Sequence, residues 1–99
     1  MKKFKKLSII IPVFNEERYI VRAIKKVKMA STLGLKKQII VVNDGSTDKT
    51  YQKLKNSKTQ ELKLGDKIKI INFRRNRGKG AAIRAALKKV TGQVVVIQD

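Results

Sequence analysis

The alternation of apolar runs with amphipathic segments is the clearest pattern in this chain. Residues 7–14, 38–44 and 94–97 are almost continuously apolar, and such runs are typical of strands covered on both faces of a sheet. Residues Lys67–Phe73 alternate lysine with isoleucine at first, which predicts a strand nearer the edge of the sheet. The pattern therefore predicts four strands.

Three segments with helical character separate the predicted strands. Residues 20–27 place apolar side chains three and four positions apart, and Asn15 is a suitable N-cap for this helix. A short helix is predicted to follow Asp48, and residues 55–66 are predicted to form a polar loop. Residues 81–90 again show helical spacing, so each crossover between strands contains a helix.

Strands that alternate with helices predict an α/β fold, with a four-stranded, mostly parallel sheet and helices on both faces. Right-handed crossovers make 3-2-1-4 the expected strand order. The chain has 99 residues, which allows a single domain over residues 1–99. In such sheets ligands bind beyond the carboxyl ends of the strands where strand order reverses, here between strands one and four.

The charge of the chain is strongly positive, with 25 Lys and Arg against 7 Asp and Glu, a formal net charge of +18. Such a field attracts nucleic acid, acidic lipid headgroups and phosphorylated small molecules alike, so it does not by itself define a binding surface. Cysteine and histidine are absent, which excludes disulfides and Cys-His zinc sites. A bound metal would be Mg²⁺ or Mn²⁺ on oxygen ligands. No apolar run reaches the roughly 18 residues of a membrane span.

Acidic residues follow three of the predicted strands. Asp44 closes the second strand within a glycine turn, residues 43–46, where it would accept hydrogen bonds from a base or ribose while the backbone approaches closely. The alternative is an Asx turn that only connects strand to helix. Glu16 and Glu17 follow the first strand and Asp99 the fourth, and each is also explained as a helix N-terminal or strand-end acid.

A basic, glycine-punctuated loop, residues 74–80, precedes the third helix. Three arginines, a lysine and two glycines make an anion site by charge, by free backbone N–H groups and by the helix dipole. The loop lacks the Walker A pattern, and Ile83 stands where the dinucleotide fingerprint needs Gly or Ala. The alternative is a solvated basic loop.

Four stretches, residues 8–17, 39–48, 76–84 and 91–99, together resemble the family 2 glycosyltransferases, especially the dolichyl- and polyprenyl-phosphate sugar transferases. The resemblance spans nearly the whole chain in the family's order and spacing. It implies the N-terminal half of a Rossmann-like GT-A domain. It also implies an enzyme that binds a UDP- or GDP-linked sugar and transfers the sugar to an acceptor such as a polyprenyl or dolichyl phosphate.

The same resemblance implies which residues form the donor site. The residues implied to bind the nucleotide are Pro12, Phe14, Glu16, Asp44, Asp48 and Lys79. The first three would line the nucleoside pocket, Asp44 would hydrogen-bond the base, and Asp48 would contact or brace that pocket. Lys79 would face the phosphates. Asp99 would be the first acid of a D-x-D motif that binds Mg²⁺ or Mn²⁺ on the diphosphate.

Two features depart from the family pattern. Asn43 replaces the first member of an acidic pair. The second D-x-D acid, the acceptor region and the general base are all expected beyond Asp99. We therefore expect the donor-binding part of a domain truncated at this motif, with the missing C-terminal half as its partner and without activity on its own.

Two other functions remain open: a non-catalytic nucleotide-binding module from a truncated reading frame, and a basic polyanion-binding domain. Sequence-specific nucleic-acid binding is not expected, because aromatic residues make up only 5% of the chain and show no stacking pattern. We expect a cytoplasmic protein that associates peripherally with the anionic cytoplasmic face of a membrane.

Overall fold

The computed structural model describes residues 5–58 and 67–98, which form one sheet with helices on both faces. The strands are β1 (Lys6–Val13), β2 (Lys36–Asp44), β3 (Lys67–Phe73) and β4 (Val94–Ile97). The helices are α1 (Ile20–Met29), α2 (Thr50–Lys58) and α3 (Lys79–Leu87). The strand order is β3-β2-β1-β4 and every pair is parallel. The predicted α/β class, strand order and parallel pairing are therefore confirmed.

The core has one layer on each face of the sheet, because successive strand residues point to opposite faces. The buried apolar residues on the face covered by α1 and α2 are Ile9, Ile11, Val13, Ile20, Ile24, Val27, Ile39, Val41 and Leu54. Those on the face covered by α3 are Ile10, Ile40, Val42, Ala82 and Ala86. This double layer fixes the carboxyl ends of β1 and β2, which carry the candidate site.

The start of α1 differs from the prediction. The helix begins at Ile20, and Asn15 does not cap it. Asn15 instead lies in the left-handed region with φ 52°, and its side-chain oxygen accepts a hydrogen bond from the Thr47 backbone N–H at 2.8 Å. The amide thus joins two loops, and the first turn of α1 has no side-chain cap from the part of the chain that the structure describes.

The limits of the other two helices also differ from those predicted. α2 continues to Lys58 and so includes residues 55–58, which were predicted to belong to a loop. The rest of that predicted loop, residues 59–66, lies outside the described residues. α3 begins two residues earlier than predicted, at Lys79. None of the helices in the described ranges is long and apolar enough to cross a membrane.

The two outer strands have different surfaces. β3 presents exposed lysines, Lys67 and Lys69, and charged residues on an edge strand oppose pairing with another sheet. β4 instead leaves Val95, Val96 and Ile97 between 40% and 47% exposed. Because β4 residues alternate between the two faces, both sides of this strand are partly uncovered within the described structure.

Candidate functional site

A cavity of about 270 Å³ opens at the carboxyl ends of β1 and β2, beside the start of α3. Its lining residues are Pro12, Val13, Phe14, Glu16, Asp44, Asn76, Gly78 and Lys79. The structure thus brings together five of the six residues predicted to bind a nucleotide, all except Asp48. They come from three segments that are distant in sequence.

A larger groove of about 490 Å³ lies on the other face, between α1 and β1 and reaching Gln98 after β4. It shares Pro12, Val13 and Glu16 with the smaller cavity but contains neither Asp44 nor Lys79, so we assign the candidate site to the smaller cavity. Sequence reasoning had placed the polar strand ends between strands one and four. In the structure, the polar residues of the cavity meet beyond the ends of β1 and β2, because the loop after β3 packs against the end of β2.

Asp44 binds the loop after β3 through its side chain. The side chain is 5% exposed, and its Oδ1 accepts from the Arg77 backbone N–H at 2.7 Å. Its Oδ2 accepts from the Gly78 backbone N–H at 3.0 Å and from Asn76 Nδ2 at 3.1 Å. A carboxylate offers about four acceptor positions, so one position, on Oδ1, is left for another donor.

Gly45 lets the two loops touch. Its φ is +69°, and a Cβ built on it would lie 2.2 Å from both the Arg75 carbonyl carbon and the Asn76 nitrogen. Side chains other than glycine's are strained in this left-handed region, and at such a short distance the backbone of the facing loop would have to move. The turn after β2 and the loop after β3 are therefore in direct backbone contact beside the cavity.

The loop after β3 carries the positive charge of the site. Arg74, Arg75 and Arg77 are all exposed, and the Arg77 guanidinium lies over the Phe73 ring at 4.7 Å from its centroid, a favourable cation–π contact. Lys79 opens α3 and lines the cavity. Within residues 5–58 and 67–98 no side chain caps this helix, so its first N–H groups and its dipole favour an anion at this place.

The opposite wall of the cavity, residues 14–17, is held by the turn after β2 and by the first residue of α2. The backbone N–H groups of Asn15 and Glu16 donate to Ser46 Oγ and Thr50 Oγ1, each at 2.9 Å. These bonds fix a short irregular segment whose Phe14 and Glu16 side chains stand exposed at the cavity rim.

Asp48 braces this wall and does not line the cavity. Its Oδ2 accepts from the Glu17 backbone N–H at 3.3 Å, and its Oδ1 accepts from the Thr50 N–H at 2.9 Å and from the Thr50 hydroxyl. Desolvation acts to raise the pKa of the Asp48 carboxyl, but the hydrogen bonds from Thr50 and Glu17 outweigh it and hold the pKa below its ordinary value.

Asn43 does not face the cavity, although the family pattern places an acid there. The residue is 1% exposed. Its Oδ1 accepts from the Ser46 N–H and hydroxyl, and its Nδ2 donates to Asn72 Oδ1 at 2.6 Å. The amide thus serves as acceptor toward Ser46 and as donor toward Asn72 in this buried position.

Three residues that shape the site received no individual role from the sequence: Ser46, Thr50 and Asn76, of which the first and last lie within the predicted candidate segments. The first two are hydroxyl residues just before or at the start of α2, where such residues commonly bond nearby backbone groups. No pattern distinguishes Asn76 within its run of arginines. Asp99, the predicted metal ligand, lies outside the described residues. Among the residues that are described, no three acidic side chains cluster closely enough to hold a metal ion.

Two solved structures resemble this fold over almost the whole chain. S. aureus TarS 1–349 in complex with UDP gives a TM-score of 0.79 at 27% identity, over 95% of this chain and 27% of that one. Glucosyl-3-phosphoglycerate synthase from Mycobacterium tuberculosis, in complex with Mn²⁺, UDP-glucose and phosphoglyceric acid, gives 0.70 at 25% identity. That match covers 96% of this chain and 33% of the synthase.

Sequence comparison leads to the same group of proteins. Undecaprenyl-phosphate 4-deoxy-4-formamido-L-arabinose transferase from Klebsiella pneumoniae is 31% identical over 96% of this chain and 28% of the relative. The chain thus spans only about a quarter to a third of the length of these proteins. The model of glycosyl transferase family 2 matches residues 8–99. On this evidence, and as its four sequence stretches predicted, the chain belongs to glycosyl transferase family 2.

Proposed function

We propose that this chain is the donor-binding part of a glycosyltransferase and holds the nucleoside diphosphate of a UDP- or GDP-linked sugar in the 270 Å³ cavity. The observation that carries this proposal is the meeting of an apolar rim with an uncapped, cationic helix start in one cavity. Phe14 and Pro12 offer apolar surface to a base. Lys79 and the first N–H groups of α3 offer positive charge to phosphates.

Glu16 and Asp44 supply the acceptors of the proposed site. The exposed Glu16 carboxylate at the rim suits a ribose hydroxyl, and the remaining acceptor position of Asp44 suits an N–H group of the base. Asp48 acts indirectly, because it holds the segment that carries Glu16 but does not line the cavity itself. The structural relatives were solved in complex with UDP and with UDP-glucose, which supports a nucleoside diphosphate as the ligand.

The metal of the proposed reaction is Mg²⁺ or Mn²⁺, as in the Mn²⁺ complex of the synthase. The ligand types available in the chain suit such a hard cation, because it contains carboxylates but no cysteine or histidine. Asp99 is the residue that would hold this metal, together with the diphosphate of the donor. The bound metal would offset the charge that develops on the departing diphosphate.

We propose a polyprenyl-phosphate acceptor, by analogy with the Klebsiella transferase, and peripheral association with the anionic cytoplasmic face of a membrane. The net charge of +18 supports attraction to such a surface. Because the relatives are three to four times longer, the acceptor site and general base are assigned to the part of a transferase that this chain does not represent.

The test compares two lysines on the same helix segment. Lys79 lies at the start of α3 and Lys88 at its end, so Lys79→Ala and Lys88→Ala remove the same charge in different places. Calorimetric titration with UDP and GDP, with and without Mn²⁺, should show about tenfold weaker binding for Lys79→Ala and wild-type affinity for Lys88→Ala. Equal losses in both variants would instead support a general polyanion-binding surface, and absence of saturable binding would contradict the donor site.

A further inference from the structure

Asp44 is the only carboxylate in the described residues that lines the cavity and bonds to the backbone of the cationic loop. We propose that Asp44 is a positioning residue, whose main effect on the nucleotide site is to hold the loop after β3 and the start of α3 in place. This inference rests on the proposed function. It deepens that function by assigning Asp44 a part in diphosphate binding as well as in base recognition.

Electrostatics favours this role. An uncovered negative charge beside a diphosphate would repel the ligand, but the Asp44 carboxylate is covered by three donors and is 5% exposed. Three exposed arginines also crowd the loop within four positions, residues 74–77, and repel one another. A buried carboxylate bonded to the backbone of the same loop opposes that repulsion.

Geometry also links Asp44 to the phosphate-binding groups. Gly78, whose N–H bonds to Asp44, directly precedes Lys79 and acts as the N-cap residue of α3, with φ 95°. The Ala82 N–H bonds back to the Gly78 carbonyl at 3.1 Å, so Gly78 is also part of the first helical turn. Loosening the bond from Asp44 would therefore disorder the helix start at which the anion is expected to bind.

The test uses a ligand without a base. Asp44→Asn keeps the size of the side chain but turns an NH₂ group toward one of the two backbone donors, so at least one bond is lost. We expect Asp44→Asn to weaken the binding of inorganic pyrophosphate by about tenfold and that of UDP by at least as much, since UDP would also lose its base contact. If pyrophosphate binds as in the wild type and only UDP is weakened, Asp44 reads the base alone and the proposal is overturned.

Asp48→Asn is the matched control, because Asp48 accepts the same number of hydrogen bonds in the same motif but lies outside the cavity. It should leave pyrophosphate affinity within about twofold of the wild type, since no direct contact is lost. Should Asp44→Asn fail to fold, Asn76→Ala removes one of the three donors. That variant should lower the affinity for both ligands equally, by about threefold.

A measurement without ligand separates this inference from the proposed function. Hydrogen exchange of the Arg77 and Gly78 amides, followed by NMR, should be faster in Asp44→Asn than in the wild type and unchanged in Asp48→Asn. Unchanged protection of both amides in Asp44→Asn would overturn the positioning role whether or not a nucleotide binds. Faster exchange in a chain that binds neither UDP nor pyrophosphate would instead contradict the proposed function and leave the loop contact established.

Discussion

Asp44 and Asp48 lie four residues apart in one turn, and each accepts three hydrogen bonds, yet they hold opposite walls of the cavity. Asp44 is buried and bonds to the cationic loop after β3. Asp48 is less buried and bonds to the segment after β1 and to the start of α2. The turn between them is thus a common support for both walls, and the wall at Asp44 carries the groups that we propose to bind phosphate.

This difference predicts that changes on the Asp44 wall alter ligand affinity, whereas changes on the Asp48 wall mainly alter stability. The two carboxylates look equivalent in sequence. Their partners distinguish them: the loop held by Asp44 lines the cavity with Gly78 and Lys79, whereas the segment held by Asp48 contributes exposed side chains at the rim.

We expect the largest loss of stability for Gly45→Ala, because this substitution disrupts the contact between the turn after β2 and the loop after β3. The new Cβ would meet the backbone of Arg75 and Asn76 at 2.2 Å, so the two loops must separate. We expect the free energy of unfolding to fall by about 2–4 kcal/mol, measured by chemical denaturation, and UDP affinity to fall with it.

Gly80→Ala is the control for that substitution. A Cβ at Gly80 would approach only the end of the Arg84 side chain, at 3.2 Å, and alanine favours a helix by up to about 1 kcal/mol. We expect this variant to be as stable as the wild type or more stable. Equal destabilisation by both substitutions would show that the loop contact at Gly45 has no special importance.

A smaller effect on stability, with little effect on affinity, is expected for Thr50→Val on the Asp48 wall. Thr50 is fully buried, and its hydroxyl bonds to both Asp48 and the Glu16 N–H. Valine keeps the shape but leaves these groups unpaired, which should lower the free energy of unfolding by about 1–3 kcal/mol. Titration of the folded variant with pyrophosphate should give wild-type affinity, and a large loss would contradict the separation of the two walls.

The smallest effect is expected from acid. Because its hydrogen bonds lower the pKa of Asp48 in the folded state, its contribution to stability is present above the unfolded-state pKa and is lost as pH falls through the folded-state pKa. The free energy of unfolding should therefore decrease below about pH 4, and the decrease should be smaller in Asp48→Asn. Denaturation curves from pH 6 to pH 2 would test this, and parallel pH profiles would contradict it.

The fold was predictable from sequence because each element carries its own signal. The apolar runs determine the strands, and right-handed crossovers determine their order. Asn15 shows where such reasoning fails, since its amide suits an N-cap but bonds to Thr47, more than thirty positions away. Five of the residues that line the cavity were predictable from family resemblance, but Asp48 lies outside it and Asn76 was not foreseen. The bonds from Asp44 to Arg77 and Gly78 depend on a tertiary approach that no local pattern reveals.

The outer strands have a consequence for handling the protein in solution. In the described structure, lysines protect the β3 edge, whereas β4 exposes valine and isoleucine on both faces, and an exposed apolar edge strand favours aggregation. At low ionic strength the net charge of +18 keeps copies of the chain apart. Salt shortens the range of that repulsion to about 10 Å at 0.1 M. High-salt buffers chosen to strip nucleic acid from so basic a chain would therefore also promote its precipitation through β4.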